Sequence, residues 1–552
     1  MPRTGVAERF SGITKLGLVG SLAEKSTFSW VGSAPDVGRD VRIALNSPKQ
    51  QHYPDRTSDC APPEAPPLSG MAATADLVRQ WGIDQLSMKT MPMNCTKNPR
   101  VSTRPVTLPI GAIIAGGIVN LALVSQAANP FITSIYTADP SAHVWADGRL
   151  YVYPSHDMDP PRGCDLMDRY HVFSTADMVN WRDEGEVLRA NQVSWGRPEG
   201  GFMWAPDCAY LNGTYYFYFP HPSGTRWNDT WKIGVATSTK PTSDFKVAGY
   251  VTGLGGFAMI DPAVFVDSDG QPYIYFGGGG HCQGAKLKSS MMEVDGALAD
   301  MTGLEDFHEA TWVFKRKGIY YLTYADNLPG KNRMRYATSS GPLGPWTYRG
   351  IYLEPTGCDT THGSVVEYKG QWYQFYHNVA ISGRGNLRTM CVDRMDFNDD
   401  GTIQTVVQTK AGVPAVGPAP APNPNEVRYA AQDASVANGA QVEADPAAAG
   451  GKSVHDLNLD NAALAFNQVE GGHGGRTTIA IHYATKDNAK LELFVNGENW
   501  SFLNTPATGS WDGYTGEAFL TVQLAAGNTN VIRLEGGHGG VNVDYITVSP
   551  LD

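Results

Sequence analysis

The chain has 552 residues, 10% of them aromatic, with 43 Lys and Arg against 55 Asp and Glu for a formal net charge of −12. That length allows two or three domains. The acidic balance argues against nucleic acid or an anionic membrane surface as a partner and is compatible with a neutral polysaccharide; the 25 Tyr and 13 Trp suit both sheet packing and sugar stacking.

Residues 1–92 are rich in Pro, Ser and Gly and lack sustained hydrophobic periodicity, as in CAPPEAPPLSG. They read as a low-complexity, disordered extension, with a short helix around TADLVRQWGIDQLSM capped by Asp76 as the one exception. Over 93–127, Lys97, Arg100 and Arg104 precede an apolar run from Leu108 to Val124 that ends in Ser125-Gln126-Ala127. A basic start, an apolar middle and a small-residue site are the parts of a secretory signal peptide. The expectation is a secreted protein, with translation starting at Met91 or Met93 and a mature chain beginning near Ala128. The rival is a membrane anchor. A span needs about 20 apolar residues, and this run is short and interrupted by Pro109, Gly111, Gly116, Gly117 and Asn120, so no stable membrane association is expected.

Residues 128–410 are organised by one phrase, a turn dipeptide ending in Gly and followed by an aromatic-rich strand. It occurs at Asp147-Gly148 before RLYVY, Asn212-Gly213 before TYYFYF and Asp269-Gly270 before QPYIYF. Lys317-Gly318 before IYYLTY and Lys369-Gly370 before QWYQFY complete the set. The glycines step by 65, 57, 48 and 52 residues (213−148, 270−213, 318−270, 370−318). Repeats of this length, each with a hairpin turn and alternating large side chains, describe the blades of a β-propeller. A second recurring theme, VFSTADMVNW, VATSTKPTSDF and YATSSGPLGPW, marks outer strands. Five phrases predict five blades.

Nine residues before each Gly stand Asp139, Trp204, Asp261 and Glu309 (148−139, 213−204, 270−261, 318−309), and eight before Gly370 stands His362. If each upstream run is the innermost strand of its blade, these five side chains meet at one end of the central channel. Asp before Pro, as at Asp139 and Asp261, also starts ordinary turns; recurrence at one register is what favours a shared site. Trp204 either stacks on a sugar or packs between blades, and Asp207 in WAPD is equally readable as structural. Five cysteines, 164, 208, 282, 358 and 391, lie past the signal-like segment, which suggests two disulfides and a free thiol; none of their spacings resembles a zinc site.

TADPSAHVWADGRLYVYPSHD, GFMWAPDC, MIDPAVF, FHEATWVFKRKGIYYLTYA and THGSVV together resemble glycoside hydrolase family 43. The resemblance implies a five-bladed propeller and hydrolysis with inversion at the anomeric carbon. It makes Asp139 the general base, Glu309 the general acid and Asp261 the third carboxylate, which tunes and holds the acid. It makes Arg388 a residue of the terminal-sugar pocket, and His362 a histidine near the axis that helps hold a calcium ion through water. The chemistry asks for such a set. Inversion needs a base and an acid roughly 6.5–9.5 Å apart with a water between, and a neighbouring carboxylate keeps the acid protonated. No cofactor is required for that chemistry.

Residues 411–425, AGVPAVGPAPAPNPN, read as an extended Pro/Ala linker. From 426 to 552, short alternating strands such as TTIAIHYA, KLELFVNG and NVIRLEG with Gly and Asn turns describe a β-sandwich of jelly-roll type. The fold class is therefore all-β, a five-bladed propeller followed by a β-sandwich. RYAAQDA, IHYAT, LFVNG, TGSWDGY and GGVNVDYITV resemble carbohydrate-binding module family 6. That resemblance implies sugar contacts from Tyr483, Trp511 and Asn542 and a structural calcium held by Asp433 and Asp544, with Gln432 standing where a Glu is usual.

Together these readings imply a secreted hydrolase of plant cell-wall hemicellulose, an α-L-arabinofuranosidase acting on arabinoxylan, with β-1,4-xylosidase and then endo-arabinanase as alternatives. A non-catalytic sugar-binding propeller is the contrasting class, and a base, an acid and a third carboxylate in register argue against it.

Overall fold

The computed structural model describes residues 128–551, apart from 160–162, 164–165, 225–229 and 256–258. The extension at 1–92, its short helix and the signal-like segment at 93–127 lie outside the described residues. No helix among the described residues is long and apolar enough to cross a membrane.

Five antiparallel sheets follow one another along the chain, each ordered as in the sequence. The first holds β1 (Thr137–Val144), β2 (Leu150–His156), β3 (Arg169–Thr175) and β4 (Trp181–Arg189); the second β5 (Asp207–Leu211), β6 (Thr214–Pro222), β7 (Trp231–Ser238) and β8 (Lys246–Tyr250). The third holds β9 (Ala263–Val266), β10 (Pro272–Gly278), β11 (His281–Leu287) and β12 (Val294–Asp300); the fourth β13 (Glu309–Arg316), β14 (Ile319–Ala325), β15 (Met334–Ser339) and β16 (Thr347–Leu353). The fifth has three strands, β17 (Ser364–Tyr368), β18 (Gln371–Asn378) and β19 (Thr389–Met395). Its open edge is covered by the entering chain, since Thr137 N–H donates to Arg388 O at 2.8 Å and Phe131 N–H to Met390 O at 3.0 Å. Start and end of the propeller are thereby joined, which protects an edge that would otherwise pair with other chains.

The aromatic phrases form the second strand of each blade, and their composition follows from burial on both faces. Side chains alternate across a strand. In TYYFYF, Phe217 and Phe219 enter the cluster shared with the first blade, around Tyr153 and Tyr170, while Tyr218 enters the one shared with the third, around Ile274 and Leu287. In QPYIYF, Ile274 and Phe276 face back and Tyr273 and Tyr275 face forward. A strand with one wet face would need polar residues at alternate positions; these have none to spare. The five turn glycines all have φ between +75° and +86°, a region L side chains avoid. At Asn212, Lys317 and Lys369 the preceding residue is left-handed too (φ 49–51°), the signature of a two-residue type I′ hairpin.

The tail is a sandwich of two sheets. One runs β22 (Gln441–Ala444), β23 (Lys452–His455), β30 (Asn542–Pro550), β25 (Gly475–Ala484), β28 (Gly516–Leu524), with β20 (Val427–Ala430) also on β30. The other runs β21 (Ser435–Ala437), β24 (Ala463–Val469), β29 (Asn530–His538), β26 (Ala489–Val495), β27 (Glu498–Thr505). Between them Ile479, Ile481, Leu491, Leu493, Ile532 and Ile546 are fully buried.

The stretch 411–425 runs along the propeller: Val413 is buried, and Val416 donates to Asp177 O at 2.9 Å. Sandwich and propeller dock directly. Thr521 donates its N–H to Asp183 Oδ2 (2.8 Å) and its hydroxyl to Asp183 O (2.6 Å), and Asn504 N–H donates to Ser134 O (2.7 Å). The expected disulfides are absent among the described cysteines. Cys208, Cys282, Cys358 and Cys391 are buried free thiols, the first, second and fourth in the cores of three different blade interfaces and Cys358 in the loop before β17; Cys164 lies outside the described residues.

Candidate active site

Asp139, Trp204, Asp261, Glu309 and His362, the five residues of common register, line one cavity of 160 Å³ together with Arg388. Each stands at or just before the first strand of its blade, so five separate stretches deliver one side chain apiece to the same mouth. The backbone is specialised there. Asp139 and Asp261 have φ of 51° and 50°, and Ala310, next to Glu309, has φ 66°. The pairing of β1 with β2 shifts between Ala138 and Ser141, and that of β13 with β14 between Glu309 and Trp312. Bulges of this kind re-aim a side chain at a strand end, and left-handed non-glycine residues concentrate at functional sites.

Asp139 is buried in a full set of donors. Arg388 Nη1 donates to its Oδ1 at 2.9 Å and Ser155 Oγ to its Oδ2 at 2.7 Å. Its own N–H donates to His377 Nδ1 at 3.0 Å, so His377 carries its proton on Nε2 and donates that to Thr360 O at 2.9 Å. Burial alone would push the Asp139 carboxyl up, but Arg388, His377, His362 and the Ser155 hydroxyl outweigh it and hold the group below its ordinary value of 3.8. It is ionised near neutral pH.

Glu309 and Asp261 behave in the opposite way. Burial first, then the negative charge of Asp139, raise Glu309 above 4.5, against the opposing pull of His308, Arg388 and the Asn327 amide. Burial, then Glu309 and Asp139, raise Asp261 well above 3.8, although Ala310 N–H donates to its Oδ2 at 2.7 Å. The two carboxyls titrate as a pair holding a proton above the usual carboxylate range. Asn327 is the positioning residue at Glu309: its amide donates to Glu309 Oε1, while its Oδ1 accepts Thr361 N–H at 3.1 Å from the next blade.

His362 Nδ1 lies 3.8 Å from Asp261 Oδ2 and 4.0 Å from Asp139 Oδ1, too far for hydrogen bonds. Burial above all pushes its pKa down to about 4, so it is neutral near pH 7. A neutral imidazole is a poor direct ligand for an oxygen-seeking ion such as calcium; an ion beside it would be held through water. Trp204 lines the cavity and packs in a tilted arrangement on Trp231 of its own blade, with ring centroids 4.6 Å apart.

Arg388 lines the cavity, with its donors turned to protein. Its Nε and Nη2 clasp Asp157 at 2.9 Å each, Nη1 serves Asp139 and Thr360, and Nη2 also reaches Asp139 at 3.5 Å. All five N–H groups are committed to protein oxygens, so the guanidinium borders the cavity as partner of Asp139, with no donor to spare for a ligand. Asp207, left open from sequence, is structural: its carboxylate accepts from Ser141, His143 and the N–H groups of Cys208 and Val264, tying three blades together.

Ser155, Asp157, His377 and Asn327 were not singled out from sequence, yet a signal existed. In an antiparallel hairpin the end of the second strand returns to the start of the first. Seven residues past the turn glycine stand Ser155 (155−148) and His377 (377−370), polar residues that interrupt aromatic strands.

These features coincide with what is known of other proteins. The family model described as glycosyl hydrolases family 43 matches residues 127–403. The chain belongs to glycosyl hydrolase family 43. Among curated family 43 relatives, the xylosidase/arabinosidase of Bacteroides ovatus is 35% identical over 319 residues, covering 49% of this chain and 95% of that protein. Xylosidase/arabinosidase 43A of Humicola insolens is 36% identical over 333 residues, 50% of this chain and 98% of that protein. The arabinoxylan arabinofuranohydrolase of Bacillus subtilis (strain 168) is 30% identical over 445 residues, 69% of this chain and 84% of that protein.

In this family 43 chain the tail is a carbohydrate-binding module, but residues 441–548 match the model for family 35, in place of the family 6 expected. The motifs behind that expectation, such as IHYAT and LFVNG, sit largely on strands β25 and β26; they record a sandwich more than a ligand-binding loop. Tyr483 is accordingly a core residue, 2% exposed, with its hydroxyl donating to Pro506 O at 3.1 Å. Trp511 is 44% exposed and borders a 570 Å³ cavity with Asn542, Asp445 and His455. Asn542 holds that loop by donating to Trp511 O at 2.8 Å. The calcium expected at Asp433 and Asp544 does not fit. Asp433 is exposed, while buried Asp544 accepts Ala449 N–H through both oxygens and has the Arg428 guanidinium at 3.9 Å. Among the described residues no group of three or more His, Cys, Asp or Glu is arranged to hold a metal.

Proposed function

We propose that this chain is an inverting exo-glycosidase that releases terminal α-L-arabinofuranose from arabinoxylan. The feature that supports the reading is the contrast between two carboxyls lining one cavity: Asp139, held below its ordinary pKa by the Arg388 guanidinium, and Glu309, raised above its own by burial and by the charge of Asp139. Asp139 takes a proton from water, whose oxygen attacks the anomeric carbon. Glu309 gives its proton to the departing glycosidic oxygen as that bond breaks, and the product has the opposite anomeric configuration. Asp261, raised by burial and by Glu309, shares that proton with it beforehand. No cofactor enters these steps.

The cavity of 160 Å³ is smaller than the roughly 300–1,000 Å³ typical of drug-sized ligands, which supports single-sugar release over endo attack. The names of the relatives support a pentose, and β-1,4-xylosidase activity is the second reading because two of the three carry both activities in one name. The signal-like segment at 93–127 supports secretion, which N-terminal sequencing of the exported protein tests; a mature chain that still carries residues 1–92 overturns it. The function is tested with paired nitrophenyl arabinofuranoside and xylopyranoside, then arabinoxylan, following the first-formed anomer by proton NMR. Retention of configuration, or no pentose released from either, overturns the proposal.

A further inference from the structure

A second cavity, of 290 Å³, lies in the seam between the two modules, bordered by Tyr136, His156 and Asp157 of the propeller and by Trp500, Phe502 and Asn504 of the sandwich. It shares no lining residue with the catalytic cavity or with the one beside Trp511. Two of its polar groups are orphans. His156 is 6% exposed and Asn504 3%, yet His156 Nδ1 and Asn504 Nδ2 are buried without any hydrogen-bond partner. Buried polar atoms are nearly always paired, so two unpaired ones on side chains that border a single cavity mark a place where something else supplies the partners.

The chemistry of the walls narrows what that is. Among the described residues the charges bordering the seam are already answered: Asp157 by Arg388, Arg169 by Asp168 and Glu186, and Asp159 by Lys490. Burial first, then the neighbouring His171 and arginines, hold His156 neutral. What remains is neutral polar donors and acceptors beside the rings of Trp500, Phe502 and Tyr136. Aromatic faces with uncharged hydrogen-bonding groups suit a hydroxyl-rich, uncharged ligand. An anion would find no free cation among the described lining residues, and a purely apolar ligand would leave both orphans unsatisfied.

We propose that this seam is a second saccharide-binding site, in which His156 and Asn504 hydrogen-bond the hydroxyls of an uncharged oligosaccharide lying against Trp500. The site rests on the polysaccharide reading for its ligand class and not for its geometry. It joins the modules functionally, since Asp157 borders the seam on one side and clasps Arg388 of the catalytic cavity on the other.

The test uses the full chain carrying Glu309→Gln, so that sugars bind without being cut, and reads amide hydrogen exchange with xylotetraose and with an arabinose-substituted xylo-oligosaccharide. Binding protects residues 498–505, and Asn504→Leu and Trp500→Ala each raise the sugar concentration needed there by about tenfold. Trp500 is only partly buried, so its variant decides the matter if Asn504→Leu does not fold. Absence of protection at 498–505 when the catalytic strands are saturated means that the seam holds water only and overturns the proposal. Protection unchanged by Trp500→Ala overturns it equally. Hydrolysis of nitrophenyl pentosides by the unmodified chain is read separately, so failure of the function and failure of the site are distinguishable.

Discussion

Arg388 Nη1 donates to Asp139 Oδ1 at 2.9 Å across 249 residues of chain. That bond is the strongest influence holding Asp139 ionised, and the other donors of Arg388 go chiefly to Asp157 and Thr360. Replacing Arg388 with Ala leaves two buried carboxylates without their cation. Breaking a buried pair from one side costs about 3–5 kcal/mol, so a denaturant midpoint should fall sharply. Asp139 also loses the strongest influence lowering its pKa, and the acid limb of kcat/KM should move to higher pH. An unmoved acid limb would take the base role from Asp139.

Glu309→Gln should lower turnover of arabinoxylan by about 10²–10⁴. The loss should shrink with a dinitrophenyl leaving group, which departs without a proton. Equal losses on both substrates in steady-state assays would show that Glu309 is not the acid.

The same substitution should stabilise the fold at neutral pH. The folded-state pKa of Glu309 lies above its unfolded value of 4.5, so the folded chain binds that proton more tightly. Stability is full below about 4.5 and is lost as pH rises through the folded value. A neutral amide is spared that loss. Melting temperatures of the two chains should diverge as pH climbs through this window, with the variant higher; a constant gap would contradict the shift.

Asn327→Ala removes a hydrogen bond that lowers the Glu309 pKa. The alkaline limb of the pH–rate profile, where Glu309 and Asp261 lose their proton, should therefore move to higher pH while kcat falls. A fall in kcat with an unmoved limb would mean that Asn327 serves packing alone.

In the sandwich, Tyr483 and Trp511 should respond differently. Tyr483→Ala empties a core position and should cost about 3–5 kcal/mol of stability. Trp511→Ala, on an exposed loop, should leave the melting temperature nearly unchanged and weaken retention on insoluble arabinoxylan in affinity electrophoresis. The reverse pattern would restore Tyr483 as the sugar contact.

The five turn glycines, the strands after them and the register of Asp139, Trp204, Asp261, Glu309 and His362 were legible in the sequence because a propeller repeats one local pattern, and local patterns survive in linear order. Tertiary structure alone decided the partners of those residues. Ser155, His377, Asn327 and Asp157 reach the site because the second strand of each hairpin returns to the channel mouth and because blade five closes on blade one. Spacing did not show that Arg388 would spend its donors on two aspartates and a threonine, that four thiols would be buried unpaired, or that Tyr483 would point into a core. The reason is physical: sequence period dictates which face a side chain takes, whereas charge state and pairing depend on what the fold brings to that face from hundreds of residues away.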